Sequence, residues 1–468
     1  MGGIFVKKGL NKTLTNWFGI GDFFFDICNS YKTYFWVIFL TSVAKLPLAT
    51  IALISAVVST TEIFLSPFYG VALDVLKPMR WGRYRSYLMI LPPITAILFA
   101  SQWFAAGISN VSIASVSVIV LSLMFALSFN MQNTANMSLI PLVAATESER
   151  AHLSSRRWAW MNLAKVVIGS LVAALIALYS GIFGNESVMT YAVIACTVAA
   201  LTIIGMQIHF RMTKGYEGEG SEVYSSSKVS KAQRISMSIL IRTLTKNPPL
   251  IAIFIASTFT AITSFTLAMM AAHYFNYVAE APAMLAIYLT VTNLGAVCGS
   301  LLAGVFSKKM DIKRLSMIAL IFMVVGLGSA RLFAFSALGF TISIIFVQFF
   351  ASFNYPLFIT MYSNCAVYGE WKTGVKAAGV VMGISNVPVK IAVMVAGILI
   401  PGILGAAGFV ADGAITQTVK AGIANGITLV PMASYMCAFL TITFGFKLTR
   451  EKLNEYQSEI DARNVISE

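Results

Sequence analysis

From Ile90 to Gly107 the chain reads ILPPITAILFASQWFAAG, and from Val118 to Asn133 it reads VIVLSLMFALSFNMQN. Neither run holds an ionisable side chain. With their flanks, both reach the roughly 20 mostly apolar residues that carry a helix across a bilayer. In lipid the backbone must satisfy its own polar groups, which only a helix or a closed barrel can do. A barrel would be written in short alternating strands, and these runs do not alternate. The pair therefore decides the fold: an all-α, polytopic membrane protein.

About a dozen such runs fill the 468 residues. The spans expected are 14–42, 48–76, 86–106, 112–143, 156–183, 187–211, 249–278, 283–307, 315–335, 338–367, 375–404 and 425–448. With 58% hydrophobic and only 11% charged residues, the chain lacks the ionisable surface that a water-soluble fold of this size needs. The opening MGGIFVKKGLNKTLTNWF has no compact apolar run with a small-residue cleavage site, so the first span is expected to act as an uncleaved insertion signal.

The net charge of +14 does not point to nucleic acid, because it is distributed by loop. Lys7, Lys8 and Lys12 precede the first span; Lys77, Arg80, Arg83 and Arg85 follow the second; Lys308, Lys309, Lys313 and Arg314 follow the eighth. By the positive-inside rule both termini are expected in the cytoplasm, with an even number of spans; the membrane expected is the inner or plasma membrane. The five cysteines are scattered singly through apolar segments, and the three histidines are equally dispersed. There is no metal-ligand spacing, phosphate loop or nucleophile elbow. No cofactor and no enzyme activity are expected.

The polar, Gly- and Ser-rich stretch MTKGYEGEGSEVYSSSKVSKAQRIS divides the chain. It implies a first bundle over 1–211, a cytoplasmic linker over 212–248, a second bundle over 249–448 and a cytoplasmic tail over 449–468. A weak echo supports the division: Tyr69-Gly70-Val71 and Ala303-Gly304-Val305 each lead into a basic turn at corresponding places. Twelve transmembrane helices in two six-helix bundles joined by such a linker is the layout of major-facilitator transporters.

Five local patterns carry a closer resemblance. They are Phe18-Gly19-Ile20-Gly21-Asp22 with Asp26; Ser66-Pro67 and Gly70 followed by RWGRYRSYL from Arg80; Pro141, Glu149-Arg150 and Arg157; Lys246-Asn247-Pro248-Pro249 with HYFNY; and YGEWKTG from Tyr368 with Lys390. In order and spacing the chain resembles the glycoside-pentoside-hexuronide:cation symporters, the family of melibiose permease. The resemblance implies that Asp26 and Arg157 hold sugar hydroxyls, that Lys390 serves the cleft from the opposite half, and that Glu62 and Ser66 occupy the coupling-cation positions. It also implies that Asn133 stands where a further site aspartate is usual and Met137 where an aromatic often stacks on sugar. Ser66, Asn133, Met137, Asn364 and Val367 all depart from the family pattern, which bears on sodium coupling and galactoside specificity.

Read physically, Asp22 and Asp26 are four residues apart and share one helix face. A charge at mid-bilayer costs about 2.5–3.5 kcal/mol, so they should look into the bundle, with Asp22 a packing lock or part of the cation-coupling set. Glu62 has hydroxyls nearby and reads as a sodium ligand, a proton carrier, or the partner of Lys165 or Lys32. Arg157, Lys165, Lys32 and Lys390 balance or exceed these acids, which suits a substrate with an anionic group bound by the Arg157 fork with Lys165 or Lys390. The basic turn with Arg80 and Arg83 is expected either to pair with Asp74 as a gate or simply to set orientation, and Tyr368, Glu370 and Trp371 to form a latch.

These readings converge on cation-coupled symport of a sugar, glycoside or uronide by alternating access, with a proton or sodium as the coupling ion. The partners expected are the small solute and membrane lipid, with the chain acting as a monomer. The rivals are carriage of an amphiphile such as a lysolipid, and a non-transporting membrane sensor on the same fold.

Overall fold

The computed structural model describes residues 12–76, 79–143, 147–184, 187–217, 247–373, 381, 384–411, 413–449 and most of 451–460. The linker expected over 212–248 falls largely outside these residues, as do the side chains of Ser66, Asp74, Glu149 and Arg150. The chain divides into two compact units, residues 1–232 and 233–468.

The first unit holds α1 (Ile20–Ile38), α2 (Leu48–Val75), α3 (Arg85–Ala105), α4 (Val111–Ser138), α5 (Glu147–Phe183) and α6 (Val188–Met212). The second holds α7 (Pro248–His273), α8 (Met284–Lys309), α9 (Ile312–Leu332), α10 (Ala337–Thr373), α11 (Val387–Ala406) and α12 (Gln417–Gly445). Ten of these helices are long and apolar enough to cross a membrane. The other two are α1, which carries Asp22, Asp26 and Lys32, and α8, whose apolar stretch is the shorter Met284–Ser300.

Short polar residues start the helices by accepting the first free N–H groups. Asn110 Oδ1 accepts from Ser112 and Ile113 at the head of α4, and Ser187 does the same for α6. Asn247 is used twice: its Oδ1 accepts from Leu250 N–H at 3.1 Å, and its Nδ2 donates to the Cys365 carbonyl on α10 at 2.7 Å. Pro248 and Pro249 follow at the positions where a helix needs no N–H donor. Thr416 caps α12 through Val419 N–H. That cap places the helix start eight residues earlier than the span expected at 425, because the polar opening QTVKAG is still helical.

The two units repeat one packing scheme. In the first, α1 packs on α5 and α6, α3 on α4 and α6, and α2 on α4; in the second, α7 packs on α11 and α12, α9 on α10 and α12, and α8 on α10. The leading helix of each ends the same way. A π-helical turn, Phe39–Val43 or Tyr274–Val278, is followed by Ala44 N–H donating to Phe39 O or Ala279 N–H to Tyr274 O. The next residue, Lys45 or Glu280, takes a left-handed backbone with φ of 54° or 50°, and a proline sets the following helix on its way. The match is written in the chain as Val43-Ala44-Lys45-Leu46-Pro47 against Val278-Ala279-Glu280-Ala281-Pro282.

Close approach of α8 to α10 depends on Gly299, where a Cβ would meet the Phe349 carbonyl oxygen at 2.1 Å. Only a residue without a side chain lets two helix backbones come this near. In the first unit an aromatic cluster fills the space between α1 and α3, with Tyr31 and Trp103 stacked at 4.5 Å and Phe39 against Trp103 at 4.7 Å.

Candidate functional site

The ionisable residues of α1 face inward, as their spacing requires. Asp22 is 1% and Asp26 2% exposed, yet their surroundings differ. Asp22 is met from α5 by the Arg157 guanidinium, with Nε donating to Oδ2 at 2.8 Å and Nη2 to Oδ1. From α4, Asn136 Nδ2 donates to the same Oδ1 at 2.9 Å. The fork geometry of guanidinium matches a carboxylate with two parallel hydrogen bonds, so this cluster ties α1, α4 and α5 together. His209 of α6 lies fully buried beside Gly21, its ring edge-on to Phe18 at 5.1 Å.

Asp26, one turn on, has no such clasp. Among the described residues its hydrogen-bond donors are Asn29 at 3.5 Å and Ser30 at 3.4 Å, both on its own helix. Lys165 of α5 is near enough for its charge to act on Asp26, but no hydrogen bond joins them, and Lys165 makes none with any described residue. Carboxylate and ammonium thus lie within each other's field without a hydrogen bond between them.

Deeper along α1, Lys32 is held by polar neighbours. Its Nζ donates to Gln102 Oε1 on α3 at 2.8 Å, and Ser122 Oγ donates to the same oxygen at 2.9 Å. The ammonium sits 4.6 Å from the centre of the Phe125 ring, within cation–π reach. Glu62 of α2 is half-buried, and its charge acts on Lys32. Asn133 is half-buried on α4, and Met137 is 51% exposed. Lys390 is half-buried on α11 of the second unit. No cluster of three His, Cys, Asp or Glu that could hold a metal occurs among the described residues.

At the helix ends the basic turn meets a carboxylate that sequence reasoning missed. Glu217, just past α6, accepts the backbone N–H groups of Arg83 at 2.7 Å, Tyr84 at 3.0 Å and Arg85 at 2.9 Å. It therefore caps α3 from a distant part of the chain. The buried Arg85 returns the favour, donating from Nη2 to the Phe210 carbonyl at 3.0 Å and from Nε to Thr213 Oγ1 at 3.4 Å at the foot of α6. Helix dipoles favour this exchange, an anion at one N-terminus and a cation at one C-terminus. Arg80 is exposed, its guanidinium 5.9 Å from the Trp81 ring. Burial pushes the Glu217 carboxyl above its ordinary value, against the pull of the three N–H donors. A carboxyl raised in this way contributes stability that is complete below its ordinary value of 4.5 and is lost as pH rises through the folded value. Glu217→Ala should therefore lower stability by about 2 kcal/mol by orphaning buried N–H groups, and Glu217→Gln, which keeps an acceptor oxygen, by about half as much; thermal melting in detergent reads both. Equal melting of Glu217→Ala and wild type would contradict the cap.

In the second unit, Tyr368 and Trp371 at the end of α10 engage the tail. Trp371 Nε1 donates to Glu459 Oε2 at 2.7 Å and its ring stacks on Tyr456 at 4.2 Å, with Tyr368 5.8 Å from both rings. Glu370, beside them, is half-buried.

Two sets of six long helices, with Asp22, Asp26 and Arg157 buried inside the first, are the build of a membrane transporter. The chain belongs to the MFS/sugar transport protein family, whose profile matches residues 17–450. A glucuronide carrier protein homolog of Escherichia coli (strain K12) is 24% identical over 454 residues, covering 95% of each chain. An isoprimeverose transporter of Lactiplantibacillus pentosus is 21% identical over 444 residues, covering 93% of this chain and 90% of the relative. The crystal structure of a D-xylose-proton symporter shares the fold, with a TM-score of 0.65 at 13% identity over 93% of this chain and 97% of the other. The resemblance to the sugar:cation symporters drawn from the five motifs thus stands, and the major-facilitator fold with it.

Proposed function

We propose that the protein carries a sugar derivative bearing an anionic group, of the uronide or glycoside class, together with a proton or sodium ion by alternating access. The observation that supports this most is the open pair in the first unit: Asp26 bonded only from its own helix, and Lys165 within its field but bonded to no described residue. Asp26 is assigned to sugar hydroxyls, which a carboxylate accepts strongly. Lys165 is assigned to the anionic group. Asn133 and Met137 are assigned to the same substrate face, and Lys390 joins them on the strength of the resemblance alone. Arg157 gives Nε and Nη2 to Asp22, so Asp22 and the solute share that guanidinium.

Glu62, with Lys32 in its field, is assigned to the coupling ion; Ser66 and Asp22 complete that set. Asp74, Arg80 and Arg83, with Tyr368 and Glu370, are assigned to gating. The charge pattern of the loops supports cytoplasmic termini, and a single chain is taken as the transporting unit. Each coupled charge draws about 2.3 kcal/mol per 100 mV, roughly a fifty-fold gradient. A monovalent anion with one cation moves no net charge, so voltage drives uptake only if a second cation accompanies it.

Counterflow in proteoliposomes, comparing a glucuronide with its neutral glycoside across pH and with or without sodium, tests the reading. Counterflow of the glucuronide at least about tenfold faster is expected, since losing one charge-assisted hydrogen bond costs about 1.5–3 kcal/mol. Exclusive transport of the neutral compound would remove the anionic assignment, and movement of neither would remove the carrier.

A further inference from the structure

In the second unit, where α7 begins and α12 finishes, lies an open groove of about 650 Å³. Its wall is apolar, formed by Ile251 and Ile255 of α7 and Phe444 of α12. Ile255 is 38% and Phe444 71% exposed, as side chains turned to lipid would be. Its mouth is basic. Lys447 and Lys452, past the end of α12, border the groove. Lys313, at the start of α9, donates to the Thr443 carbonyl at 3.2 Å and is close enough to Lys447 for the two charges to repel. Asp311 attends Lys313, whereas Lys447 and Lys452 make no side-chain hydrogen bond or ion pair with any described residue.

Lys447 and Lys452, which no described carboxylate clasps, are screened from each other mainly by solvent, and an anion at the mouth relieves them. A soluble anion would use the mouth and gain nothing from the wall. A neutral lipid would use the wall and gain nothing from the mouth. We propose that the groove binds an anionic glycerophospholipid, one acyl chain lying along Ile251, Ile255 and Phe444 and the phosphate held by Lys447 and Lys452. Ammonium groups next to a membrane attract anionic headgroups in this way. None of the residues assigned to the solute lines the groove, although the gating candidate Tyr368 does, and the proposal does not depend on which solute is carried.

Native mass spectrometry of the full-length protein in detergent, titrated with phosphatidylglycerol or phosphatidylcholine, tests the site. One lysine beside an anionic headgroup is worth about fivefold in binding. The double variant K447Q/K452Q should therefore retain phosphatidylglycerol about 30-fold less well and keep its weaker hold on phosphatidylcholine, and excess inorganic phosphate should displace neither lipid from the wild type. Equal retention of the two lipids by the wild type, unchanged phosphatidylglycerol binding by K447Q/K452Q, or displacement by inorganic phosphate would each overturn the proposal. Melting curves report whether the double variant is folded; if it is not, K447Q and K452Q singly, each with about a fivefold loss, decide the matter.

Discussion

Arg157→Met is expected to lower the stability of the protein by about 3–5 kcal/mol, the usual result of stripping one partner from a buried ion pair. The side chain is only 7% exposed, and with it gone the Asp22 carboxylate keeps Asn136 as its remaining donor between α1 and α4. Burying a lone carboxylate is expensive, so the helices must separate or admit water. Asp22→Asn should harm less than Arg157→Met, because a guanidinium at the start of the apolar stretch of α5 can reach toward the interface while a short carboxylate cannot. The double replacement Asp22→Asn with Arg157→Met should recover at least half of the loss, since a pair of neutral groups leaves no charge uncompensated. Thermal unfolding followed by intrinsic fluorescence in one detergent reads all three. If the double variant melts no higher than Arg157→Met alone, the ion pair is not what joins α1 to α5.

The helices and the family were legible in the sequence because each rests on local order: apolar runs, capping residues, and motifs whose spacing survives in one dimension. Asn247-Pro248-Pro249 illustrates the point, for the cap and the two prolines are adjacent in the chain. The pairings within the site were not legible, because spacing along one helix does not say which helix comes opposite. Asp22 and Arg157 were each singled out, but they lie 135 residues apart and nothing local matches them. Gln102, which holds Lys32, is one of a few uncharged polar residues in a long apolar run, and reads equally well as a spectator. Glu217 sits at the edge of a polar stretch rich in charge, where one glutamate does not stand out from its neighbours. Its role depends on the chain turning back after α6 to meet Arg83, Tyr84 and Arg85.

The internal repeat is an intermediate case. The expected echo around Tyr69-Gly70-Val71 was faint, while Val43-Ala44-Lys45-Leu46-Pro47 and Val278-Ala279-Glu280-Ala281-Pro282 were in plain view. Their likeness is conformational, since a lysine and a glutamate share little chemistry but adopt the same left-handed backbone at the close of a π-helical turn. Glu280 adds a contact of its own, accepting from Lys420 at the head of α12. Such a position constrains φ more than side-chain identity, so aligning residues by type passes over it.

Asp26→Asn is expected to give the opposite signature to Arg157→Met: transport lost and stability kept. The amide has the shape of the carboxylate and can still accept from Asn29 and Ser30, whose bonds at 3.5 and 3.4 Å are long enough to contribute little. Removing a buried charge that is bonded only from its own helix costs the fold little, since Lys165 holds no hydrogen bond to lose. A solute hydroxyl, by contrast, loses a charge-assisted bond worth about 1.5–3 kcal/mol. Two hydroxyls bound side by side, one to each oxygen, would lose about twice that, so counterflow should fall by at least about a hundredfold. Lys165→Met separates the two halves of the proposed site. It should weaken an anionic solute strongly and a neutral analogue little, because only the former uses the ammonium. Counterflow of both solutes by wild type, Asp26→Asn and Lys165→Met, with melting curves on the same preparations, gives the whole comparison. Wild-type transport by a folded Asp26→Asn protein would move the solute site away from α1 altogether, and the open carboxylate beside Lys165 would then have to be explained by the coupling ion instead.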